Sequence, residues 1–491
     1  MPVPTLARLV GGEWRAPEDG RTIDVTDPAD IRRVVARVPA MRAEDVPGLY
    51  EAAVAGLKTW RRTPALERAA ILRRAADRLR ERTPEIVTDL VAEMGKTTAE
   101  ATVEVTKSAD FFDYYASLAR LPYGDLLNDA RPGTQTSVRT EPVGVVLAIT
   151  PWNDPLLTPA RKLGPALFAG NAVILKPAME TPVVAVHLAR ALDDAGLPAG
   201  VLGLAVGHID EIAGPLLSDP RLDAVSFTGS TAVGRRLRRQ LADTNVRLQT
   251  EMGGKNASVV FADADLDLAV NTIAAAAFGQ AGQRCTATSR VVVLREVADA
   301  LIGGLAARAR ALRLGPGGES GTDVGPLVSM RHRDSVQRHL EEAVKDGATV
   351  HAGQEEQPTA DFAHGCYVTP TVLAIDRPET SAVWREEVFG PVVVVLTVDD
   401  FDAAVAAVDD SQYGLAAAVF TRGLATAHEF AEQVTAGQVS VNLPTTGWDV
   451  HMPFGGFRDS GSAFKEQGLA GLRFYTRLKT VAVHYENPAA S

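Results

Sequence analysis

The spacing of apolar positions divides the chain into a helical region followed by two stretches where short apolar runs alternate with helices. Turn signals at Gly11-Gly12, Asp19-Gly20 and Asp27-Pro28, with β-prone runs between them, predict a small hairpin region at the start. Residues 43–118 read as helical. Within them Leu66, Ala69, Leu72, Ala76 and Leu79 recur on one face, behind Thr63-Pro64, a capping residue before a helix-compatible proline. The arginines between positions 68 and 80 alternate with Glu67 and Asp77 opposite that face and read as a solvated side.

From 143 to 250 the pattern becomes strand–helix–strand. Val145-Val146-Leu147-Ala148-Ile149 predicts a buried strand, 155–169 a helix closed by Gly170-Asn171, and Ala172-Val173-Ile174-Leu175 a second strand. A helix follows over 182–195. Ala224-Val225-Ser226-Phe227 is a third strand that runs into a glycine turn and another helix. Such alternation predicts a parallel, doubly wound sheet. Residues 254–450 repeat it as a second α/β unit, with Pro391-Val392-Val393-Val394-Val395-Leu396 as a buried strand. In the tail, Lys479-Thr480-Val481-Ala482-Val483-His484 alternates like a strand and is expected to join a sheet of its own chain or of a partner subunit.

Composition narrows the class. With 491 residues, 46% hydrophobic and 23% charged, the chain can bury a large core without disulfide or metal staples. Its two cysteines, Cys285 and Cys366, are too few and too far apart for a disulfide scaffold or a Cys-rich metal centre, which points to a reducing compartment. A dispersed net charge of −11 argues against non-specific nucleic-acid binding. No apolar run approaches the roughly 18 residues a membrane helix needs. The start, Met1-Pro2-Val3-Pro4-Thr5, lacks the basic segment and apolar core of a secretory signal, so a cytoplasmic location is expected.

Four segments carry candidate chemistry. In Gly282-Gln283-Arg284-Cys285-Thr286, a helix over 266–278 has broken at Gly279 and Gly282 and a strand starts near Ser289. Cys285 then sits in a loosened turn whose N–H groups can face an oxyanion, and Arg284 can favour its thiolate; a small buried hydrophobe is the alternative. Glu251, before Gly253-Gly254, can project into a cleft as a general base or be a salt-bridged surface carboxylate. Asn153, in Thr150-Pro151-Trp152-Asn153-Asp154-Pro155, lies where ligands meet open α/β sheets; it can donate an amide hydrogen bond or cap a helix. Phe227-Thr228-Gly229-Ser230-Thr231-Ala232-Val233-Gly234 suits a pyrophosphate at a helix N-terminus. Arg235-Arg236 stands where a P-loop needs Lys-Ser/Thr, which excludes an NTPase. No Gly-x-Ser-x-Gly elbow occurs, and the nine histidines show no ligand spacing, so no metal site is expected.

Taken in order, Pro-Trp-Asn, Lys-Pro-Ala, Phe-Thr-Gly-Ser, Glu-x-Gly-Gly-Lys and Gly-Gln-x-Cys resemble the aldehyde dehydrogenase superfamily. Glu386-Glu387-Val388-Phe389-Gly390-Pro391 and Pro453-Phe454-Gly455-Gly456 continue the likeness, which runs from Gly12-Glu13-Trp14 to Lys479-Thr480-Val481. The resemblance implies an α/β fold with a Rossmann-type coenzyme domain over 1–118 and 143–252 and an α/β catalytic domain over 253–453. A small β bridging arm, 119–142 and 470–491, would complete a homodimer or homotetramer. It also implies NAD or NADP as cofactor and an aldehyde as substrate. Cys285 would form a thiohemiacetal, Asn153 and the Cys285 N–H the oxyanion hole, and Glu251 would activate water against the thioester. Lys162 resembles a lysine that assists proton movement. Lys176 and Glu387 resemble residues that bind the two riboses, Gly229 and Ser230 those near the pyrophosphate, and Phe389 and Trp152 those lining the nicotinamide side. Cys366 matches no catalytic position.

Two departures bear on specificity. Met179 stands where many NAD-preferring relatives carry a ribose-binding glutamate; Glu180, one residue late, either rotates in to bind the cofactor ribose or leaves NADP tolerated or preferred, so the choice between NAD and NADP stays open. On the substrate side, Asp154 and Arg161 replace aromatic residues, and Arg161 resembles the arginine that holds the carboxylate in succinic semialdehyde dehydrogenases. Arg284 adds a second cation, and both suit a bidentate anion; an internal Arg161–Asp154 ion pair is the alternative. Glu251-Met252-Gly253-Gly254-Lys255-Asn256, Cys285-Thr286-Ala287-Thr288-Ser289-Arg290-Val291 and Glu466-Gln467-Gly468 look most like the α-ketoglutaric semialdehyde dehydrogenase branch. An acidic semialdehyde is therefore the expected substrate. The rivals are an aromatic or broad-range aliphatic aldehyde dehydrogenase, a CoA-acylating enzyme, which Glu251 argues against, and a non-catalytic cofactor-binding or structural protein.

Overall fold

The computed structural model describes residues 3–17, 20–122, 124–353 and 362–485. Asp19 of the expected Asp19-Gly20 turn and residues 486–491 of the expected arm lie outside the described residues.

Continuous apolar runs form strands buried on both faces, as parallel sheets require. Val145–Ile149 lies at the centre of a five-stranded parallel sheet, with Ala172–Lys176 and Leu202–Leu204 on one side and Ala224–Thr228 and Arg247–Glu251 on the other. The chain therefore reverses direction of winding beside Val145–Ile149. That reversal opens a crevice at the carboxyl ends of Val145–Ile149 and Ala224–Thr228. Pro151-Trp152-Asn153 and Gly229-Ser230 follow those two strand ends.

The second sheet has seven strands. Thr371–Ile375, Val392–Val398, Arg290–Leu294, Ala257–Val260, Ala416–Phe420 and Gln438–Val441 run parallel, and Thr349–Ala352 closes one edge antiparallel. Its amino ends face the carboxyl ends of the first sheet. Gly253-Gly254, Cys285 and Glu387 precede the strands Ala257–Val260, Arg290–Leu294 and Val392–Val398, while Thr228 and Glu251 end strands of the first.

The helix Ala65–Glu81 buries Ala69, Leu72, Ala76 and Leu79 in the core, but Leu66 is 49% exposed because the first turn overhangs it. Pro64, not Thr63, is the N-cap, and Thr63 Oγ1 instead donates back to the Thr59 carbonyl (3.2 Å). Arg68 departs from the solvated side expected for it. It is 5% exposed and its Nε donates to the Phe168 carbonyl (2.8 Å), satisfying an acceptor at the end of the helix Leu157–Ala169. Thr98–Ser117 packs along both of these helices and opens with a capping box in which Thr97 and Glu100 exchange hydrogen bonds.

The tail strand Thr476–His484 joins its own chain. It pairs antiparallel with Thr134–Pro142, which pairs in turn with Gly124–Leu127. This small sheet carries exposed leucines, Leu126 at 73% and Leu478 at 75%. Among the described residues, no helix is long and apolar enough to cross a membrane.

Candidate active site

Beyond the helix Leu266–Phe278 the chain turns sharply through Gln280, Ala281 and Gly282, all in left-handed backbone. Gly282 (φ 70°) is required by space as well, since a Cβ there would lie 2.0 Å from the Gly390 carbonyl oxygen. The turn delivers Cys285 to the junction of two cavities, one of about 230 Å³ on the side of the first sheet and one of about 200 Å³ leading outward. The Cys285 N–H makes no hydrogen bond among the described residues. Burial pushes the Cys285 thiol up to about 12, with Arg161 acting in the opposite direction. The neutral thiol thus dominates at pH 7, and a base must take its proton.

Asn153 lines the inner cavity with Cys285. It is not the helix cap; Leu156 holds that position, and the helix begins at Leu157. Asn153 Nδ2 donates one hydrogen to the Gln283 carbonyl (3.0 Å), which fixes the amide's orientation and leaves its second N–H for the cavity.

Glu251 ends the strand Arg247–Glu251 and lines the same cavity. It is not a surface ion pair: it is buried, and neither carboxyl oxygen has a hydrogen-bond partner. Burial, reinforced by Glu466, raises its pKa well above the usual carboxylate range, with Lys162 acting to lower it. Such a carboxyl can accept a proton near neutral pH. Lys162 Nζ is paired closely with Glu466 and donates to Ser226 Oγ (2.9 Å). Tyr475 OH donates to the same Ser226 oxygen (3.0 Å), and Ser226 Oγ donates to Gln249 Oε1 (2.9 Å). Burial lowers the Lys162 pKa, so the lysine can give up a proton more readily than an exposed one.

The remaining wall of the inner cavity fits a dinucleotide. Ser230 caps the helix Thr231–Gln240, its Oγ accepting from the Val233 N–H, and the first-turn N–H groups are left for an anion. The Gly229 N–H is not among them, because it donates to the Glu251 carbonyl (3.0 Å). Thr228 Oγ1, buried and unpartnered on this wall, is a polar group such a ligand would satisfy. Glu387 Oε1 accepts from the Gly254 N–H (2.9 Å), and burial raises this carboxyl to about 7. Phe389 (φ 57°) is held in left-handed backbone by His332, whose Nε2 donates to the Phe389 carbonyl (2.8 Å). Trp152 packs against both rings, at 5.3 Å from Phe389 and 5.2 Å from His332. Lys176 and Glu180 lie beyond this lining. Lys176 Nζ donates to the Pro177 carbonyl (2.9 Å) and is lowered to about 8 by burial, while Glu180 is exposed.

Arg161, Asp154 and Arg284 line the outer cavity together, and the Arg161–Asp154 ion pair, the alternative to a substrate role, is not formed: Arg161 approaches Glu466 and Asp154 pairs with Lys96. Asp154 Oδ1 accepts from Lys96 Nζ (3.3 Å) and Gln280 Nε2 (3.1 Å). Against its burial, Lys96 and Arg284 hold the Asp154 carboxyl below its usual range. Arg161 lies 3.6 Å from Glu466 and stacks on Phe454 (4.7 Å) and Phe111 (5.7 Å), with its buried Nε unpartnered. Of the cations, Arg161 does most to favour the Cys285 thiolate, while Arg284 Nε is engaged by Gln280 Oε1 (2.8 Å). Sequence reasoning gave no role to Lys96, Glu104, Gln280 or His332, and used Glu466 only as part of a motif. Only the Glu466-Gln467-Gly468 segment offered a signal, since the others depend on which loops meet. Cys366 is buried away from both cavities, its N–H donating to the Pro28 carbonyl (2.8 Å). Among the described residues, no cluster of His, Cys, Asp or Glu could hold a metal ion.

Comparisons with known proteins match this arrangement. The aldehyde dehydrogenase family model matches residues 14–481. An alpha-ketoglutarate semialdehyde dehydrogenase of Haloferax volcanii is 42% identical over 477 residues, 97% of this chain and 98% of that one. Betaine aldehyde dehydrogenase of Staphylococcus aureus, solved in complex with NAD+, superposes with a TM-score of 0.94 at 30% identity over 97% of this chain and 94% of that one. An NADP-dependent enzyme of Escherichia coli superposes with a TM-score of 0.93 at 34% identity over 98% of each chain. With a thiol, a buried carboxyl and a dinucleotide wall around one cavity, the chain belongs to the aldehyde dehydrogenase family, as an NAD(P)+-dependent oxidoreductase that oxidises aldehydes.

Proposed function

We propose that this enzyme oxidises an acidic semialdehyde, an aldehyde carrying a carboxylate at its far end, to the corresponding diacid. The observation that carries the reading is Arg161: a half-buried guanidinium whose buried Nε lacks an acceptor, lining a cavity that ends at Cys285. A buried donor of that kind calls for an anionic partner, and a planar carboxylate meets it bidentately. Arg284 lines the same cavity, and the Haloferax relative named for an acidic semialdehyde supports the reading. The Arg161–Glu466 approach of 3.6 Å is too loose to engage the guanidinium fully.

Cys285 is the nucleophile: Glu251, on the same cavity, takes the thiol proton and passes it to the Lys162–Glu466 pair, while Sγ adds to the aldehyde carbon and Asn153 Nδ2 and the Cys285 N–H hold the oxyanion. NAD(P)+, when bound, supplies the hydride acceptor that leaves a thioester on Cys285. Glu251 takes a proton from water, which cleaves the thioester, and Lys162 with Glu466 carries that proton away from the cavity. Glu387, Phe389, Trp152, Lys176, Gly229 and Ser230 bind the dinucleotide. Glu180, exposed, leaves room for a 2′-phosphate beside Met179, so NADP+ is accepted as well as NAD+. Residues 1–118 and 143–252 serve as the coenzyme domain, 253–453 as the catalytic domain, and 119–142 with 470–491 as a bridging arm in a cytoplasmic homodimer or homotetramer. The exposed Leu126 and Leu478 support that last assignment, and a single-subunit mass in light scattering would overturn it.

Arg161→Leu is the direct test. It should raise KM for succinic and α-ketoglutaric semialdehydes about tenfold or more and leave hexanal nearly unchanged. An equal effect on all aldehydes would assign Arg161 a structural part instead.

A further inference from the structure

The nucleophile loop is folded in a way its residue types do not favour. Gln280 (φ 55°, ψ 32°) and Ala281 (φ 53°, ψ 32°) both carry a Cβ, yet both take left-handed backbone ahead of Gly282. Residues persist there only where their surroundings over-determine them. What holds Gln280 is a full set of hydrogen bonds around a buried side chain. Its N–H donates to Glu100 Oε1 (2.5 Å), its carbonyl accepts from the Gln283 N–H (3.0 Å), and its Oε1 accepts from Arg284 Nε (2.8 Å). Its Nε2 donates to the Asn153 carbonyl and to Asp154 Oδ1 (3.1 Å). Lys96 Nζ reaches the same two oxygens from another side, at 3.0 and 3.3 Å. In return, Asn153 Nδ2 donates to the Gln283 carbonyl (3.0 Å). The loop carrying Cys285 and the loop carrying Asn153 are thus stitched together in both directions.

We propose that Gln280 is a positioning residue for the reaction. Through the Asn153 carbonyl it fixes the oxyanion donor against Cys285, and through Arg284 it aims a guanidinium into the substrate cavity. The proposal rests on the roles assigned above to Cys285 and Asn153. The carboxamide donates to Asn153 and accepts from Arg284 at once. An ionised glutamate here accepts from Arg284 but cannot donate to Asn153; a methionine fills the space and does neither.

The test is a double-mutant cycle in the full-length enzyme, with hexanal as neutral aldehyde and succinic semialdehyde as acidic one. Gln280→Met and Gln280→Glu should each lower kcat on hexanal about 100-fold. In an Asn153→Ala background the same substitutions should cost less than about threefold, because the donor they position is gone. KM for succinic semialdehyde should rise with Gln280→Met and hold with Gln280→Glu, which separates the two arms. Equal losses with and without Asn153 would overturn the proposal, as would rates close to the parent's. Loss of fold and cofactor binding in both variants would also overturn it, leaving Gln280 a purely structural residue. A wild-type enzyme that oxidises no aldehyde, or a Cys285→Ala variant that keeps its rate, would overturn the underlying assignment and this proposal with it.

Discussion

Glu251 sits where pH should act on turnover. Its carboxyl is raised first by burial and then by Glu466, and only its ionised form can take a proton from water. The sign follows directly: kcat should climb as pH rises through the elevated pKa and fall away on the acid side. Glu466→Gln removes the negative neighbour that raises the Glu251 carboxyl, which favours ionised Glu251. We therefore expect the acid limb of the kcat–pH profile to move down by about one pH unit in that variant. An unmoved limb would show that another group sets it. Among the residues proposed to do chemistry, Cys285, Glu251 and Asn153 stood out in the sequence because each lies near glycine, proline or a strand end, and the fold brings all three to one cavity. Glu466, His332 and Gln280 were not, since their partners lie far away in the chain: Glu466 meets Lys162, and Gln280 meets Asn153.

At the scale of elements, the parallel strands were readable because strands buried on both faces appear as unbroken apolar runs, as in Val145–Ile149 and Val392–Val398. Helix ends were less so. Thr63 loses the cap position to Pro64, and Arg68 turns inward to reach the Phe168 carbonyl, an acceptor no periodicity reveals. The loops between the sheets are where spacing matters most. Gly253 leaves room for Glu387: a Cβ there would lie 2.0 Å from Glu387 Oε2. Gly253→Ala should swing that carboxyl aside and weaken cofactor binding about tenfold, with the fold retained. Fluorescence titration with NAD+ and NADP+ checks this, and an unchanged Kd would remove Glu387 from the cofactor site.

Seen as a whole molecule, a parallel sheet and a mostly parallel one meet end to end, carboxyl ends of one against amino ends of the other, and the proposed reaction site is the seam. That arrangement would let the first sheet offer a helix N-terminus and Glu251 as the proposed base, with Cys285, the proposed nucleophile, on a loop of the second. It also leaves the outer cavity, with Arg161 and Arg284, open beside Cys285 as the proposed route for a substrate. The most direct measurement is the initial rate of NAD(P)H formation by the wild-type enzyme across α-ketoglutaric and succinic semialdehydes, benzaldehyde and hexanal, with each cofactor at saturation. With Arg161 and Arg284 holding the far carboxylate, kcat/KM for the acidic semialdehydes should exceed that for the neutral aldehydes by about tenfold or more. A preference for benzaldehyde or hexanal would contradict it.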